Sequence, residues 1–257
     1  GHVEALVEAG VDAIFYPCMS YNFDEKASDN NYNCPVVAYY PELLAANMPD
    51  LKKTRFLNPY AGLHRPKDYE RIGSQWFADT FGIPRREALH AIRAAYQAYD
   101  RYKEDLHRTG QQYIDQARAQ GLPIIVLAGR PYHIDPEINH GINELITSYG
   151  FVLVTEDAVA HLEEKAPRRV LNQWTYHARM YNAARYVCTQ PDMEVIQLVS
   201  FGCGIDAITG DEMRSILEEG GRLYTQLKID DISNLGAVKI RVRSLIAAME
   251  ERKRREH

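Results

Sequence analysis

The run Ile124-Ile125-Val126-Leu127-Ala128 contains no polar residue and stops at Gly129. A strand of this kind has no face to offer to water, so its sheet must be covered on both sides. A helical pattern from about Pro136 to Tyr149 follows, closed by Gly150 in the usual position after a helix. Next come an apolar run at Phe151 to Thr155, a helix around Asn172 to Arg185, and a strand from Val195 to Val199. A helix from Gly210 to Glu219, a strand from Leu223 to Ile229 and a helix from Asn234 to about Glu251 complete the series. Val238, Val242, Leu245 and Ile246 share one face of that last helix. This βαβαβ alternation predicts a doubly wound, Rossmann-like lobe.

The first part of the chain shows the same alternation on a smaller scale. His2 to Gly10 reads as an amphipathic helix, and Val11 to Tyr16 as a strand that stops at Pro17-Cys18. A polar loop from Ser20 to Asn33 leads through Cys34-Pro35 to a short strand at Val36-Val37-Ala38, with a helix starting at Pro41. Phe56-Leu57-Asn58-Pro59 reads as a third strand-to-loop turn. From Pro84 to Gly121 the pattern is helical, with Leu89, Ile92, Tyr96, Tyr99 and Leu106 largely at three- and four-residue steps and a break at Gly110. Packing between lobes accounts for this Tyr stripe better than a cofactor site. The expected fold class is therefore α/β: two Rossmann-like lobes with parallel sheets joined by a helical layer. The expected segments are 1–83, truncated at its start, a connecting layer at 84–121, and a C-terminal lobe at 122–257. The chain has no initiator Met and opens inside a helix, as a piece of a longer protein would.

Charge and cysteine usage narrow the function classes. A formal charge of −5 argues against a nucleic-acid or anionic-membrane partner. The basic tail Arg252 to Arg255 is flanked by Glu250, Glu251 and Glu256 and reads as a solvated helix end. No apolar run approaches the roughly 20 residues that cross a bilayer. Four cysteines without a CxxC pair do not make a disulfide scaffold, and a reduced cytosolic compartment fits them better.

Ligands of open parallel sheets bind outside the carboxyl ends of the strands. Cys18 and Cys203 both fall there, and Cys34 lies in a loop leading to a strand. Cys203 stands between Gly202 and Gly204, which leave its backbone open to close approach. Three readings of these thiols stand side by side: ligands of a metal or iron–sulfur centre, a nucleophile at Cys203 before a helix, or small buried hydrophobes. For Cys188, which closes an apolar segment, the last reading is preferred.

A second stretch, LAGRPYHIDPEINHGINEL, spans residues 127–145. Gly129, Arg130 and the helix start at Asp135-Pro136 would form a cofactor site for a phosphate or carboxylate. Asp135 also reads as an ordinary helix cap. His133, just before the helix, and His140, in its second turn, are candidates for proton transfer near neutral pH. No GxGxxG follows any strand, so a dinucleotide site is disfavoured.

Taken together, IFYPCMSY, NYNCPVVAYYPELL, LAGRPYHIDPEINHGI, LNQWTYHAR, SFGCGIDAITGDE and LKIDDISNLGAVKIRVRSL resemble a known family. They are similar to the C-terminal part of large activase-like proteins related to 2-hydroxyacyl-CoA dehydratases and their activators. The resemblance covers nearly the whole chain. It implies two Rossmann-like lobes with a [4Fe–4S] cluster near their interface, and an ATP-dependent activase that supplies one electron to a thioester-dehydrating system. Residue by residue, Cys18, Cys34 and Cys203 fall in the cysteine-bearing motifs, and Cys188 matches none. Relatives carry a further cysteine motif and an ATP-binding region upstream, neither of which this sequence contains. The implied function is a cytoplasmic, anaerobe-type iron–sulfur domain, and any activity would be that of a dehydratase-type lyase or a low-potential reductase component. Its expected partners are an activase domain or protein, an acyl-CoA thioester and a second copy in a dimer, with no nucleic acid or membrane. A non-catalytic docking or scaffold domain without a cluster is the competing reading.

Overall fold

Short strands and strong helix starts divide the chain. The computed structural model describes residues 1–165, 171–200, 202–230 and 235–256. They fall into two units, Gly1–Tyr102 with Gln173–Thr175, and Lys103–Asn172 with Tyr176–His257.

The first unit is built from α1 (His2–Glu8), β1 (Ala13–Phe15), α2 (Pro35–Asn47), β2 (Arg55–Leu57), α3 (Pro66–Phe81) and the beginning of α4 (Arg85–Ala119). Its parallel sheet has only the two strands β1 and β2, with Ile14 opposite Phe56. Backbone pairing continues beyond them. The Cys18 N–H donates to the Pro59 carbonyl and the Ala61 N–H to the Cys18 carbonyl, each at 2.9 Å.

Val36-Val37-Ala38, expected as a strand, forms the first turn of α2 instead. Pro35 at the first helical position brings a preset φ and has no N–H to lose, which starts the helix earlier than Pro41 would. Val36 and Val37 are exposed, so their β-branched pair never enters a core. The expected break at Gly110 is absent, and α4 runs unbroken for 35 residues. Gly110 is a packing residue, because a Cβ there would lie 2.6 Å from the Ala158 Cβ. The Tyr stripe of α4 is used for packing in the first unit, where Tyr96 donates to the Leu63 carbonyl at 2.9 Å and Tyr99 stacks on Phe23.

The second unit continues with β3 (Ile124–Ala128), α5 (Pro136–Asn139), α6 (Ile142–Ser148), β4 (Val152–Thr155), α7 (Thr175–Cys188), β5 (Met193–Val199), α8 (Gly204–Glu219), β6 (Thr225–Lys228) and α9 (Gly236–Glu256). The start expected for α9 at Asn234 lies outside the described residues. The four strands are parallel in the order β4-β3-β5-β6. Alternate residues of β3 enter different cores, as the two-residue repeat of a strand requires. Ile124, Val126 and Ala128 pack with Ile114 of α4, Met180 and Val187 of α7, and Met213 of α8. Ile125 and Leu127 pack with Ile142 and Ile146 of α6 and with Val238, Val242 and Leu245 of α9. The chain is thus α/β with parallel sheets, and the sheet of the second unit is covered on both faces.

Two helix boundaries move, and both moves matter for the site. The single helix expected from Pro136 to Tyr149 is two short ones, because His140 and Gly141 are both left-handed, at φ 53° and 78°. His140 is therefore the exposed end of α5 and not a residue in a second helical turn. The helix expected from Gly210 starts six residues earlier, at Gly204, which makes Cys203 its N-cap.

Candidate functional site

In the second unit the chain goes from β3 to β4 on one side and then to β5 on the other side of β3. The connections therefore reverse direction between β3 and β5, and a crevice opens at the carboxyl ends of such strands. The residues just past β3 are Gly129, Arg130, Tyr132 and His133. Those just past β5 are Ser200, Cys203 and, in the first turn of α8, Asp206.

These groups are linked. Arg130 forms an ion pair with Asp206, and both side chains are largely buried. Burial disfavours the Asp206 carboxylate, but the His177 and Arg130 side chains outweigh it and hold this carboxyl below the usual range. His177 Nε2 lies 3.9 Å from the other Asp206 oxygen. The Arg130 guanidinium donates to the Tyr132 hydroxyl at 2.9 Å, and that hydroxyl shares a 2.8 Å hydrogen bond with Ser200 Oγ. His133 Nε2 reaches the same Ser200 oxygen at 3.1 Å.

The tautomer of His133 follows from its partners. Its Nδ1 accepts from the Arg130 backbone N–H at 3.1 Å, so the neutral ring carries its proton on Nε2 and donates to Ser200. Burial, followed by the charge of Arg130, pushes the His133 pKa down to about 4. His133 is 1% exposed, so this proton-transfer candidate is also a packed residue of the second unit. Its packing explains Gly129, where a Cβ would meet His133 Nδ1 at 2.5 Å.

Glu156, directly after β4, is a second buried titratable group. Burial, followed by the neighbouring Asp157, raises its pKa to about 8, although the backbone N–H groups of Glu156 and Gly129 and the Arg179 charge work in the other direction. At neutral pH this carboxyl is mostly protonated.

The remaining candidates are placed as follows. Asp135 caps α5 by accepting from the Glu137 N–H at 2.9 Å, but α5 has only four residues, and a helix that short adds little to anion binding. Arg130, expected in the phosphate cradle with Gly129, is engaged by Asp206. Cys203 is half-buried and close enough to Arg130 for their charges to interact. A Cβ added to Gly202 or Gly204 would meet nothing within 4 Å among the described residues. Phe201 lies outside the described residues.

In the first unit Cys18 is buried, and burial, helped by Glu42, pushes its thiol pKa up. Cys34 is the half-buried N-cap of α2. The Asn33 N–H donates to the Ser20 carbonyl at 3.0 Å, and the Asn33 side chain donates to Met19 at 2.9 Å, which ties together the segments that follow Cys18 and precede Cys34. Cys188 packs beside α8, with its sulfur 3.6 Å from the Ile216 carbonyl.

These placements bear on a [4Fe–4S] cluster. Among the described residues no group of three or more His, Cys, Asp or Glu side chains is arranged to hold a metal ion. Cys18 and Cys34 belong to one unit and Cys203 to the other, so neither unit by itself supplies the thiolates such a cluster needs. Ser200, Asp206, Tyr132 and His177 lie within the stretches singled out in the sequence but had no role assigned, and Glu156 lies outside all of them. The one available signal was that Ser200 directly follows a buried strand.

The second unit is thus an α/β parallel sheet that carries, at the switch point between β3 and β5, a hydroxyl pair hydrogen-bonded to a neutral imidazole. The comparisons narrow this class: the chain belongs to the family described as CoA enzyme activase uncharacterised domain, which matches residues 1–159, more than half of its length. A search of curated proteins found no match. No helix among the described residues is long and apolar enough to cross a membrane.

The two buried groups have opposite effects on stability. Glu156 takes up a proton on folding, so its contribution is complete below pH 4.5 and is lost as pH rises towards 8. His133 releases one, so its contribution is complete above pH 6.5 and is lost as pH falls towards 4. Between pH 6.5 and 8 only the Glu156 effect remains. Chemical denaturation should show the wild type losing stability relative to Glu156→Gln across that window, by up to about 1.4 kcal/mol per pH unit. Parallel profiles for the two proteins would show that the Glu156 carboxyl is not held neutral.

Proposed function

We propose that this chain serves a CoA-dependent activase/dehydratase system as a domain that binds an acyl thioester at the switch point of its second unit. Family membership supports the system, and the Ser200–Tyr132–His133 hydrogen-bond group carries the site. In that group the His133 N–H is donated to Ser200 and one hydroxyl hydrogen joins Tyr132 and Ser200, so one hydroxyl hydrogen is left to donate, while the nearby cation Arg130 is compensated by Asp206. Donors without surplus positive charge suit a neutral carbonyl better than a phosphate, and the thioester carbonyl is the neutral acceptor such a system handles. In this reading whichever of Tyr132 and Ser200 keeps its hydroxyl hydrogen donates it to the carbonyl oxygen, His133 orients Ser200, and Asp206 holds Arg130 against Tyr132.

The experiment is a binding titration of butyryl-CoA, with free CoA as the control that lacks the carbonyl. Butyryl-CoA should bind more tightly than CoA. Ser200→Ala should remove most of that difference, roughly a tenfold loss of affinity for one hydrogen bond made to a carbonyl. Equal binding of both compounds by wild type and Ser200→Ala would favour the docking or scaffold reading.

A second reading is favoured by the shared placement of Cys18 and Cys34 at one end of the first-unit sheet. In it Cys18, Cys34 and Cys203 ligate a [4Fe–4S] cluster that needs donors from both units and at least one from another part of the system. When bound, such a group supplies one-electron transfer. Anaerobic reconstitution followed by iron and sulfide analysis should then show iron lost in Cys203→Ser and retained in Cys188→Ser. Identical iron content in wild type and both variants contradicts the ligand assignment.

A further inference from the structure

Helix α2 is built inside out. A surface helix ordinarily turns its large apolar side chains inward, but the residues that α2 buries are Ala38 and Pro41. Its large apolar residues face the other way. Val36, Val37, Tyr39, Tyr40 and Leu43 are all exposed, from 39% at Tyr40 to 62% at Val36. At 3.6 residues per turn these five share one side of the helix, opposite Ala38 and Pro41. Tyr60 extends the face, since its exposed ring lies 6.3 Å from that of Tyr39.

The apolar area decides what this face can do. Six such side chains, each about half exposed, present roughly 600 Å², at the top of the range for the largest patch on a typical monomer, about 300–600 Å². A stable interface takes about 800 Å² from each partner, and in a homodimer roughly 65% of it is apolar. The apolar share is therefore about 500 Å², which this face supplies.

Charge and spacing select the occupant. Glu42 is the only charged residue of α2, and its carboxylate accepts from the Tyr60 hydroxyl of its own chain. Two copies of α2 can therefore meet without like charges opposed. A different protein is ordinarily selected by complementary charge, and this stripe has none to offer. Val36, Tyr40, Leu43 and Asn47 follow one another at steps of four, three and four residues, the seam spacing of paired helices. When two copies run antiparallel, their helix dipoles oppose each other favourably. A twofold axis then sets Tyr40 of each copy against Leu43 of the other.

We infer that α2 is a self-association surface, covered by the α2 of a second copy of this chain in the antiparallel sense. The surface uses no residue of the switch-point site, so it stands or falls separately from the thioester reading.

Sedimentation of the full chain tests it. The wild type should show a monomer–dimer equilibrium with a Kd of about 10 µM or tighter. Tyr40→Lys and Leu43→Glu each place a charge at an exposed position, which leaves the core of the monomer untouched. Each variant alone should weaken self-association at least about tenfold. An equimolar mixture of the two should regain the dimer, because the introduced ammonium and carboxylate then face each other. A wild type that stays monomeric at about 100 µM overturns the proposal and leaves the face to another polypeptide. A dimer of unchanged affinity in both variants overturns this interface. If circular dichroism shows one variant unfolded, the other decides alone. Two folded, dissociated variants whose mixture stays monomeric overturn the antiparallel pairing.

Discussion

The candidate site depends on the absence of a side chain at residue 129. The His133 ring occupies the space where a Cβ at Gly129 would be, and the backbone N–H of Gly129 helps hold the Glu156 carboxyl. A methyl group there would force the imidazole out of place. Ser200 would then lose one of its two partners, and Tyr132 would lose the neighbour that fixes the hydroxyl pair. The glycine that ends β3 is therefore the point from which the arrangement at the ends of β3, β4 and β5 is built.

Charge is managed locally around that point. Arg130 and Asp206 come from opposite sides of the switch point and neutralise each other, so the crevice keeps donors without net charge. Two titratable groups are held neutral beside them, His133 by burial near a cation and Glu156 by burial near another carboxylate. Such a set suits recognition of a polarisable carbonyl, because its dipoles are fixed before a ligand arrives.

Much of the second unit could be read in the sequence, because β3 has no polar residue and β5 is almost as apolar, and only a covered parallel sheet accommodates such strands. The errors arose where a local pattern was genuine but tertiary context overrode it. Val36-Val37-Ala38 has strand-like composition, yet Pro35 starts a helix there and no core claims the valines. Gly110 resembles a helix break until Ala158 is seen against it. Residues that are neighbours only through topology were the hardest to find. Arg130 and Asp206 are far apart in sequence, and no spacing rule joins them, whereas the crossover connections of a parallel sheet do. The cysteine motifs were conspicuous in the sequence, and Cys18 and Cys34 fall in one unit and Cys203 in the other.

The central claim is that the ligand crevice lies at the carboxyl ends of β3 and β5. Photo-crosslinking with an acyl-CoA that carries a diazirine in its acyl chain, followed by peptide mapping, tests it most directly. The account predicts labelling concentrated in the segments that carry Arg130 to His133 and Ser200 to Asp206, suppressed by excess butyryl-CoA. Labelling spread over the surface, or concentrated away from those two segments, would contradict it.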